Sequence, residues 1–148
     1  MSEPVIVHAG LIAARVNGPW RGVLIEGAAG SGKSDLALRT LAGGFRLVAD
    51  DRVALWVSGG RLYGRAPETL AGLLEVRGLG VGPVGALPLA EVVLVVRAGT
   101  PERLPDPEYA NILGLRLPRL VLELGESSAP AKLSHALSHF DGACKRRI

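Results

Sequence analysis

The chain has 148 residues and a formal net charge of +3, with 48% hydrophobic and 21% charged residues. This length and composition predict one folded domain over residues 1–148 and argue against an intrinsically disordered protein. Aromatic residues make up 4% of the chain, which is too few to indicate a base-stacking surface, and we expect no nucleic-acid partner.

The location of the protein is predicted from three features of the sequence. No apolar run approaches the roughly 18–20 residues that a membrane span requires, so no membrane association is expected. Residues Met1 to Pro4 lack the basic and then apolar segments of a secretory signal. The single cysteine, Cys144, permits no internal disulfide. Together these features predict a cytoplasmic protein.

The first half of the chain alternates short apolar runs with turn signals. Val5 to His8 and Leu11 to Val16 read as strands, and Asn17-Gly18-Pro19 is a strong turn signal before the next strand. The chain is therefore expected to open with antiparallel β-structure. Further predicted elements are a strand around Val23–Ile25, a helix over Ser34–Ala42 and a strand over Phe45–Ala49.

The second half contains a hairpin, one strongly buried strand and a closing helix. Arg52–Val57 and Arg61–Arg65 flank Ser58-Gly59-Gly60, which is a hairpin pattern. The continuous apolar run inside Leu89–Arg97 predicts a strand buried on both faces. The remaining predictions are a short helix over Pro67–Leu74, a loop or a loop with a short strand over Glu75–Pro83, an exposed loop over Gly99–Asn111, a strand over Leu115–Leu124 that Pro118 places at an edge, bulge or bend, and a helix over Pro130–Phe140.

A phosphate-binding loop lies between the third predicted strand and the first helix. Its spacing, G-x-x-x-x-G-K-S/T, is matched by Gly27, Ala28, Ala29, Gly30, Ser31, Gly32, Lys33 and Ser34. Glycines allow the backbone to approach a ligand closely, and the successive N–H groups can surround an anion at a helix N-terminus. Lys33 supplies a charge for the outer phosphates, and the Ser34 hydroxyl can ligate Mg²⁺. The motif predicts binding of a nucleoside triphosphate with magnesium.

Acidic residues beyond this loop are candidates for the chemistry. Asp50 and Asp51 follow the strand after the first helix, where the carboxyl ends of strands in α/β sheets meet ligands. One carboxylate can join the Mg²⁺ shell and the other can accept a proton from an attacking hydroxyl, but the pattern does not say which does which. Glu75, ahead of a glycine-rich segment, can complete the metal shell, and Arg77 can contact phosphate.

These motifs together resemble the catalytic domain of the bacterial HPr kinase/phosphorylase family. The matching segments are His8 with Ala9-Gly10, residues 27–34, Leu47 to Val53, and Leu74-Glu75-Val76-Arg77-Gly78-Leu79-Gly80. The resemblance runs from about His8 to Val96. It implies an α/β phosphate-loop nucleotide-binding fold with a mixed β-sheet, of the phosphoenolpyruvate carboxykinase/HPr kinase type, here without the N-terminal regulatory domain.

The resemblance also implies a reaction. Enzymes of this family use ATP and Mg²⁺ to phosphorylate a serine of HPr, a phosphocarrier protein of the sugar phosphotransferase system, and many assemble as homohexamers. Many also dephosphorylate HPr with inorganic phosphate and release pyrophosphate. The nearest match to the family's dephosphorylation segment is Gly125 to Lys132, without a clear copy, so the kinase direction is the primary expectation.

Specific roles follow from the matched positions. The resemblance implies that His8 and Lys33 are catalytic and that Ser34 and Glu75 are magnesium ligands. It favours Asp51 over Asp50 as the residue that accepts and donates the proton. Arg103, in Glu102-Arg103-Leu104, corresponds to a catalytic arginine of a mobile loop, and Leu74 to Pro83 corresponds to a loop used in both reaction directions.

Two other functions share the phosphate loop. A small-molecule kinase of the phosphate-loop class would carry a metabolite pocket and an arginine-rich lid helix, and no such lid is evident in the sequence. A nucleotide-dependent sensor or adaptor would bind ATP without needing Asp50, Asp51 and Glu75 together. A guanine-specific switch would need an N-K-x-D segment, which the chain lacks.

Overall fold

The fold was determined as a computed structural model that describes residues 3–76 and 78–146. The strands are β1 (Val5–His8), β2 (Gly10–Arg15), β3 (Trp20–Glu26), β4 (Arg46–Ala49), β5 (Arg52–Ser58), β6 (Arg61–Arg65), β7 (Leu73–Val76), β8 (Gly80–Pro83), β9 (Ala90–Ala98), β10 (Glu108–Ile112) and β11 (Leu115–Leu122). The helices are α1 (Lys33–Leu41) and α2 (Ala129–Arg146). No helix in these ranges is both long enough and apolar enough to cross a bilayer.

A mixed sheet of nine strands forms the frame of the molecule. Its strand order is β1-β5-β6-β9-β3-β2-β4, and β11 also pairs with β9 and carries β10 on its other side. The β3–β9 and β9–β11 pairs are parallel, whereas β2 runs antiparallel to β3, as predicted for the N-terminal strands. Strands β7 and β8 form a separate antiparallel hairpin.

Both faces of the central strands are buried. Helices α1 and α2 cover one face, and their apolar residues pack with those of β2, β3 and β9. On the other face the sheet curls, so that β5 and β6 pack over β2 and β3. A Cβ at Gly64 would lie 2.6 Å from Leu11 Cδ2, so the curl depends on the absence of a side chain there. Val95 and Val96 are both fully buried, which confirms the prediction for β9.

The strand directions bring the candidate site residues to one edge of the sheet. Because β2 is antiparallel to both β3 and β4, the carboxyl ends of β3 and β4 lie at the same edge. The phosphate loop follows β3 and Asp50–Asp51 follow β4. His8, at the end of β1, lies at this edge as well, since the Ala9 N–H donates to the Asp51 carbonyl at 3.1 Å.

Predictions around residue 75 needed correction. The predicted helix over Pro67–Leu74 is only a single 3₁₀ turn at Glu68–Leu70, and Leu73 already belongs to β7. Of the two alternatives over Glu75–Pro83, the loop with a short strand is the nearer, since β8 is a short strand there, but its pairing with β7 in a hairpin was not predicted. Glycines with positive φ cause both differences: Gly72 ends the 3₁₀ turn, and Gly78 and Gly80 make the hairpin turn.

The C-terminal third follows its predictions more closely. The loop after β9 ends at Pro107, because residues 108–111 join β10 and pair with β11. Pro118 lies where β11 changes partner, since Pro118 pairs with Tyr109 of β10 and the residues from Arg119 onward pair with β9. Pro118 thus pairs with β10 but not with β9, which fits the edge position among the predicted alternatives. The closing helix begins at Ala129, with Pro130 in its first turn.

Candidate active site

The lysine of the phosphate loop binds the backbone of the same loop. Helix α1 begins immediately after Gly32, whose φ of 101° favours glycine, and Gly30 also has a positive φ. Lys33 Nζ donates to the carbonyl oxygens of Gly27 and Ala28, at 2.7 and 3.0 Å. A Cβ at Gly27 would lie 2.5 Å from Ser31 Oγ, so this loop conformation requires glycine there.

Backbone N–H groups at the start of α1 make this loop suitable for anions. The first N–H groups of an α-helix have no acceptor within the helix, and they carry the positive end of its dipole. Gly30, Gly32, Lys33 and Ser34 all line one cavity of about 370 Å³. The Lys33 ammonium adds a full charge beside them, which suits a polyphosphate.

Asp50 is held from two sides. The Ser34 hydroxyl donates to Asp50 Oδ1 at 2.7 Å, and the Glu75 backbone N–H donates to Asp50 Oδ2 at 3.1 Å. Asp50 is 8% exposed, so its carboxylate is fixed within the protein rather than free in solvent. The carboxylate thus lies beside the loop serine and next to the β7 strand that carries Glu75.

Asp51 points to a different partner. Its Oδ1 lies 2.7 Å from His8 Nε2, and the side chains of His8 and Asp51 are 52% and 58% exposed. Arg52, which pairs with His8 across β1 and β5, places its Nε 3.9 Å from Asp51 Oδ2. Asp51 is therefore an accessible carboxylate at the mouth of the site, with a cationic or hydrogen-bonding group near each oxygen.

A tight turn separates the two aspartates. Asp51 has a φ of 68°, and the Arg52 N–H donates to the Asp50 carbonyl at 2.7 Å. A three-residue turn with positive φ at its centre is the rare, strained form of the γ-turn. The turn sends the neighbouring carboxylates toward different partners, Asp50 toward Ser34 and Asp51 toward His8.

The strain at this turn predicts an unusual order of stabilities. Asp51→Ala and Asp51→Gly both remove the carboxylate and its contact with His8. Because only glycine adopts this φ without cost, we expect the glycine variant to be more stable than the alanine variant by about 1 kcal/mol, the reverse of the usual order. Urea denaturation of both variants measures the difference. A more stable alanine variant would show that the turn is relaxed.

Most of the predicted site residues line the same cavity. Its walls include His8, Ala29, Gly30, Gly32, Lys33, Ser34, Asp50, Asp51 and Glu75. The remaining loop residues, Gly27, Ala28 and Ser31, form the part of the loop behind them. No group of three or more potential metal-ligating His, Cys, Asp or Glu side chains was found in the ranges 3–76 and 78–146, so a metal site here would rely on the Ser34 hydroxyl as well.

Two predicted residues are not placed in the cavity. Arg103 is exposed in the loop between β9 and β10 and does not contribute to the cavity wall, so its catalytic role stays a prediction from the resemblance. Arg77 lies outside the described residues. Sequence reasoning missed the apolar part of the wall, which Leu38, Leu70, Leu73, Val76 and Val81 form, because the hairpin that supplies much of it was read as a loop.

The sequence matches a known protein family over the region that contains the cavity residues from His8 to Val81. The family described as HPr Serine kinase C-terminal domain matches residues 1–87 of the chain. The chain belongs to this family. The matched region contains the phosphate loop, both aspartates, His8 and Glu75.

The relatives with similar sequences include HPr kinase/phosphorylases from several bacteria. The HPr kinase/phosphorylase of Clostridium beijerinckii is 38% identical over 117 residues, covering 70% of this chain and 39% of that protein. The protein of the same name from Leptothrix cholodnii is 40% identical over 117 residues, covering 68% of this chain and 36% of that protein. The chain therefore spans well under half the length of these relatives.

A solved structure covers nearly the whole chain. The Hpr(Ser) kinase/phosphatase of Coxiella burnetii superposes with a TM-score of 0.77 at 24% identity, over 97% of this chain and 99% of that one. This likeness extends the shared fold beyond residue 87 to the C-terminal third. The predicted fold, a phosphate-loop α/β type with a mixed sheet, is confirmed.

Proposed function

We propose that this protein is an ATP- and Mg²⁺-dependent kinase that phosphorylates a serine of an HPr-type phosphocarrier protein. The observation that carries the proposal is the separation of the adjacent aspartates. Asp50 is turned toward Ser34 of the phosphate loop, and Asp51 is turned toward His8 at the open side of the same cavity. A sensor that only binds ATP does not need an accessible carboxylate beside the outer phosphates.

The residues at the loop fit a magnesium–nucleotide complex. Ser34, Asp50 and Glu75 offer oxygen atoms, which are the ligands that Mg²⁺ takes in proteins, and Asp50 already lies within hydrogen-bonding distance of Ser34. We propose that these three residues hold Mg²⁺, which neutralises charge on the phosphates when bound. Lys33 and the N–H groups at the start of α1 would bind the phosphates of ATP.

Asp51 is the proposed proton acceptor. As the serine oxygen forms its bond to the γ-phosphorus, the bond from that phosphorus to the β-phosphate oxygen breaks, and the hydroxyl proton passes to Asp51. ADP and phosphoserine are the products. His8 Nε2, at 2.7 Å from Oδ1, orients the carboxylate, and Oδ2, which lies 3.9 Å from Arg52 Nε and so beyond hydrogen-bonding distance of it, would accept the hydroxyl proton. In the reverse direction, inorganic phosphate would lose its proton to the same carboxylate as it attacks the phosphorus of phosphoserine. The bond from that phosphorus to the serine oxygen would break, the serine oxygen would take up the proton from Asp51, and pyrophosphate would be released.

The cellular location and the assembly state of the protein are also proposed. We infer a cytoplasmic location, which suits a chain with one cysteine and a need for ATP, and a homo-oligomeric assembly, a hexamer by resemblance to the family. Analytical ultracentrifugation measures the assembly state. HPr is the expected protein partner because the curated relatives are named for it.

One experiment tests the proposal directly. The protein is incubated with γ-labelled ATP, Mg²⁺ and an HPr-type protein, and the product is examined for phosphoserine. We expect label on HPr that depends on both Mg²⁺ and ATP and that is absent when the acceptor serine is replaced by alanine. ATP binding without transfer would support the sensor instead, and transfer to a small metabolite alone would support a small-molecule kinase. Adding inorganic phosphate to labelled HPr tests the reverse reaction, with labelled pyrophosphate as its product.

A further inference from the structure

The β7–β8 hairpin presents apolar side chains to solvent beside the active-site cavity. Leu79, in the hairpin turn, is 87% exposed, and Val81, in β8, is 65% exposed. Isolated exposed apolar residues are common on proteins, whereas grouped ones at the rim of a cavity indicate a contact surface. We refer to Leu79 and Val81 together as the hairpin lip.

The lip continues an apolar wall of the cavity. The phosphate loop and the two aspartates form a polar side, whereas Leu70, Leu73, Val76 and Val81 contribute an apolar side. Val81 pairs with Glu75 across the hairpin, and directly paired residues project from the same face of a sheet. The lip therefore begins beside a proposed magnesium ligand and extends outward to the tip of the hairpin.

The base of the hairpin is fixed to the site. Leu74 is fully buried against the helix-covered core, and the Glu75 N–H donates to Asp50 Oδ2 at 3.1 Å. The Leu79 N–H donates to the Val76 carbonyl at 2.9 Å, which closes the turn that carries the lip. Leu79 is thus linked by a backbone hydrogen bond to β7, the strand whose Glu75 N–H donates to Asp50.

We propose that the hairpin lip docks the protein substrate by contacting apolar side chains next to the acceptor serine. This inference rests on the proposed function and adds the part of the site that selects the acceptor. A small metabolite that reacts inside a cavity of about 370 Å³ would not need an apolar surface at the hairpin tip. A folded protein that brings a serine to Asp51 must cover the rim, and burial of Leu79 and Val81 would then contribute to its affinity.

A matched pair of leucine substitutions tests this inference. Leu79→Ser is expected to raise the KM for the HPr-type protein by about tenfold, the size of a typical interface contact, while the KM for ATP stays within about twofold of wild type. Leu79→Met, which keeps the apolar surface, is expected to restore the KM. Leu89→Ser serves as the control: Leu89 is 45% exposed and precedes β9, at the opposite end of the sheet from the phosphate loop, and we expect no change.

The outcomes separate the inference from the proposed function. If wild type phosphorylates HPr and Leu79→Ser has an unchanged KM, the docking inference is wrong and the kinase function stands. If wild type does not phosphorylate HPr, the proposed function is wrong. The docking inference is then tested by calorimetric titration of HPr into wild type and into Leu79→Ser. Equal affinities of the two proteins for HPr would overturn it. A lower oligomer mass for Leu79→Ser in sedimentation would identify the lip as a contact between copies of the chain and would also overturn it.

Discussion

Replacing Asp51 by asparagine is expected to lower the rate of phosphotransfer to HPr by about 100- to 10,000-fold, the usual contribution of a general base. Asparagine has nearly the same shape as aspartate but cannot take the hydroxyl proton. ATP affinity should stay within about twofold of wild type, because Asp51 faces His8 and the other aspartate, Asp50, faces the phosphate loop. Single-turnover transfer and equilibrium nucleotide binding, measured on the same preparation, give both numbers.

The neighbouring aspartate provides the comparison for this prediction. Asp50→Asn changes a buried carboxylate that accepts from Ser34 and from the Glu75 N–H, so it should weaken Mg²⁺-dependent ATP binding before it affects the proton transfer. Wild-type turnover by Asp51→Asn would remove the base assignment. If instead Asp50→Asn keeps ATP affinity and loses transfer, the roles of the two residues are exchanged.

The predictable parts of the site are those that a short contiguous segment of the sequence specifies. The residues from Gly27 to Ser34 specify a phosphate loop by their own spacing, and the strand ending at Asp50 could be read from four apolar or β-forming residues before it. Both segments reach the same edge because strands with helices between them usually run in the same direction. His8 was singled out by resemblance, since a single histidine after a short strand carries no such signal.

Other features depend on the fold as a whole and were not predictable from local pattern. The positive φ of Asp51 is uncommon for a residue other than glycine, and the Asp51 carbonyl accepts from the N–H of Ala9, which lies between β1 and β2 and is distant in sequence. The pairing of β7 with β8 was not predicted because four glycines, Gly72, Gly78, Gly80 and Gly82, weaken the strand pattern in this segment. The curl of the sheet requires β1 to pair with β5, a contact between segments more than forty residues apart.

The largest loss of kcat/KM is expected from Lys33→Ala. Lys33 is 8% exposed, and its ammonium is already bound to two carbonyl oxygens of the loop that would surround the phosphates. A buried charge that is held in place acts on developing phosphate charge more strongly than a solvated one, so its removal should cost at least about 1,000-fold in kcat/KM. Both affinity for ATP and turnover should fall, because the proposed role of the ammonium is to contact the phosphates before and during transfer.

A second cationic residue separates this effect from a general loss of charge. Arg61 is an exposed residue of β6 whose guanidinium lies 3.7 Å from Glu91, at the end of the sheet opposite the phosphate loop, so Arg61→Ala removes one positive charge and should leave kcat/KM unchanged. The fold should survive the Lys33 change, because Lys33 lines the cavity and water can enter the space that its side chain leaves, where it can donate to the carbonyl oxygens of Gly27 and Ala28. Thermal denaturation verifies that both variants are folded. A folded Lys33→Ala protein with wild-type kcat/KM would mean that the loop does not bind the transferred phosphate, and the kinase proposal would then lose its central element.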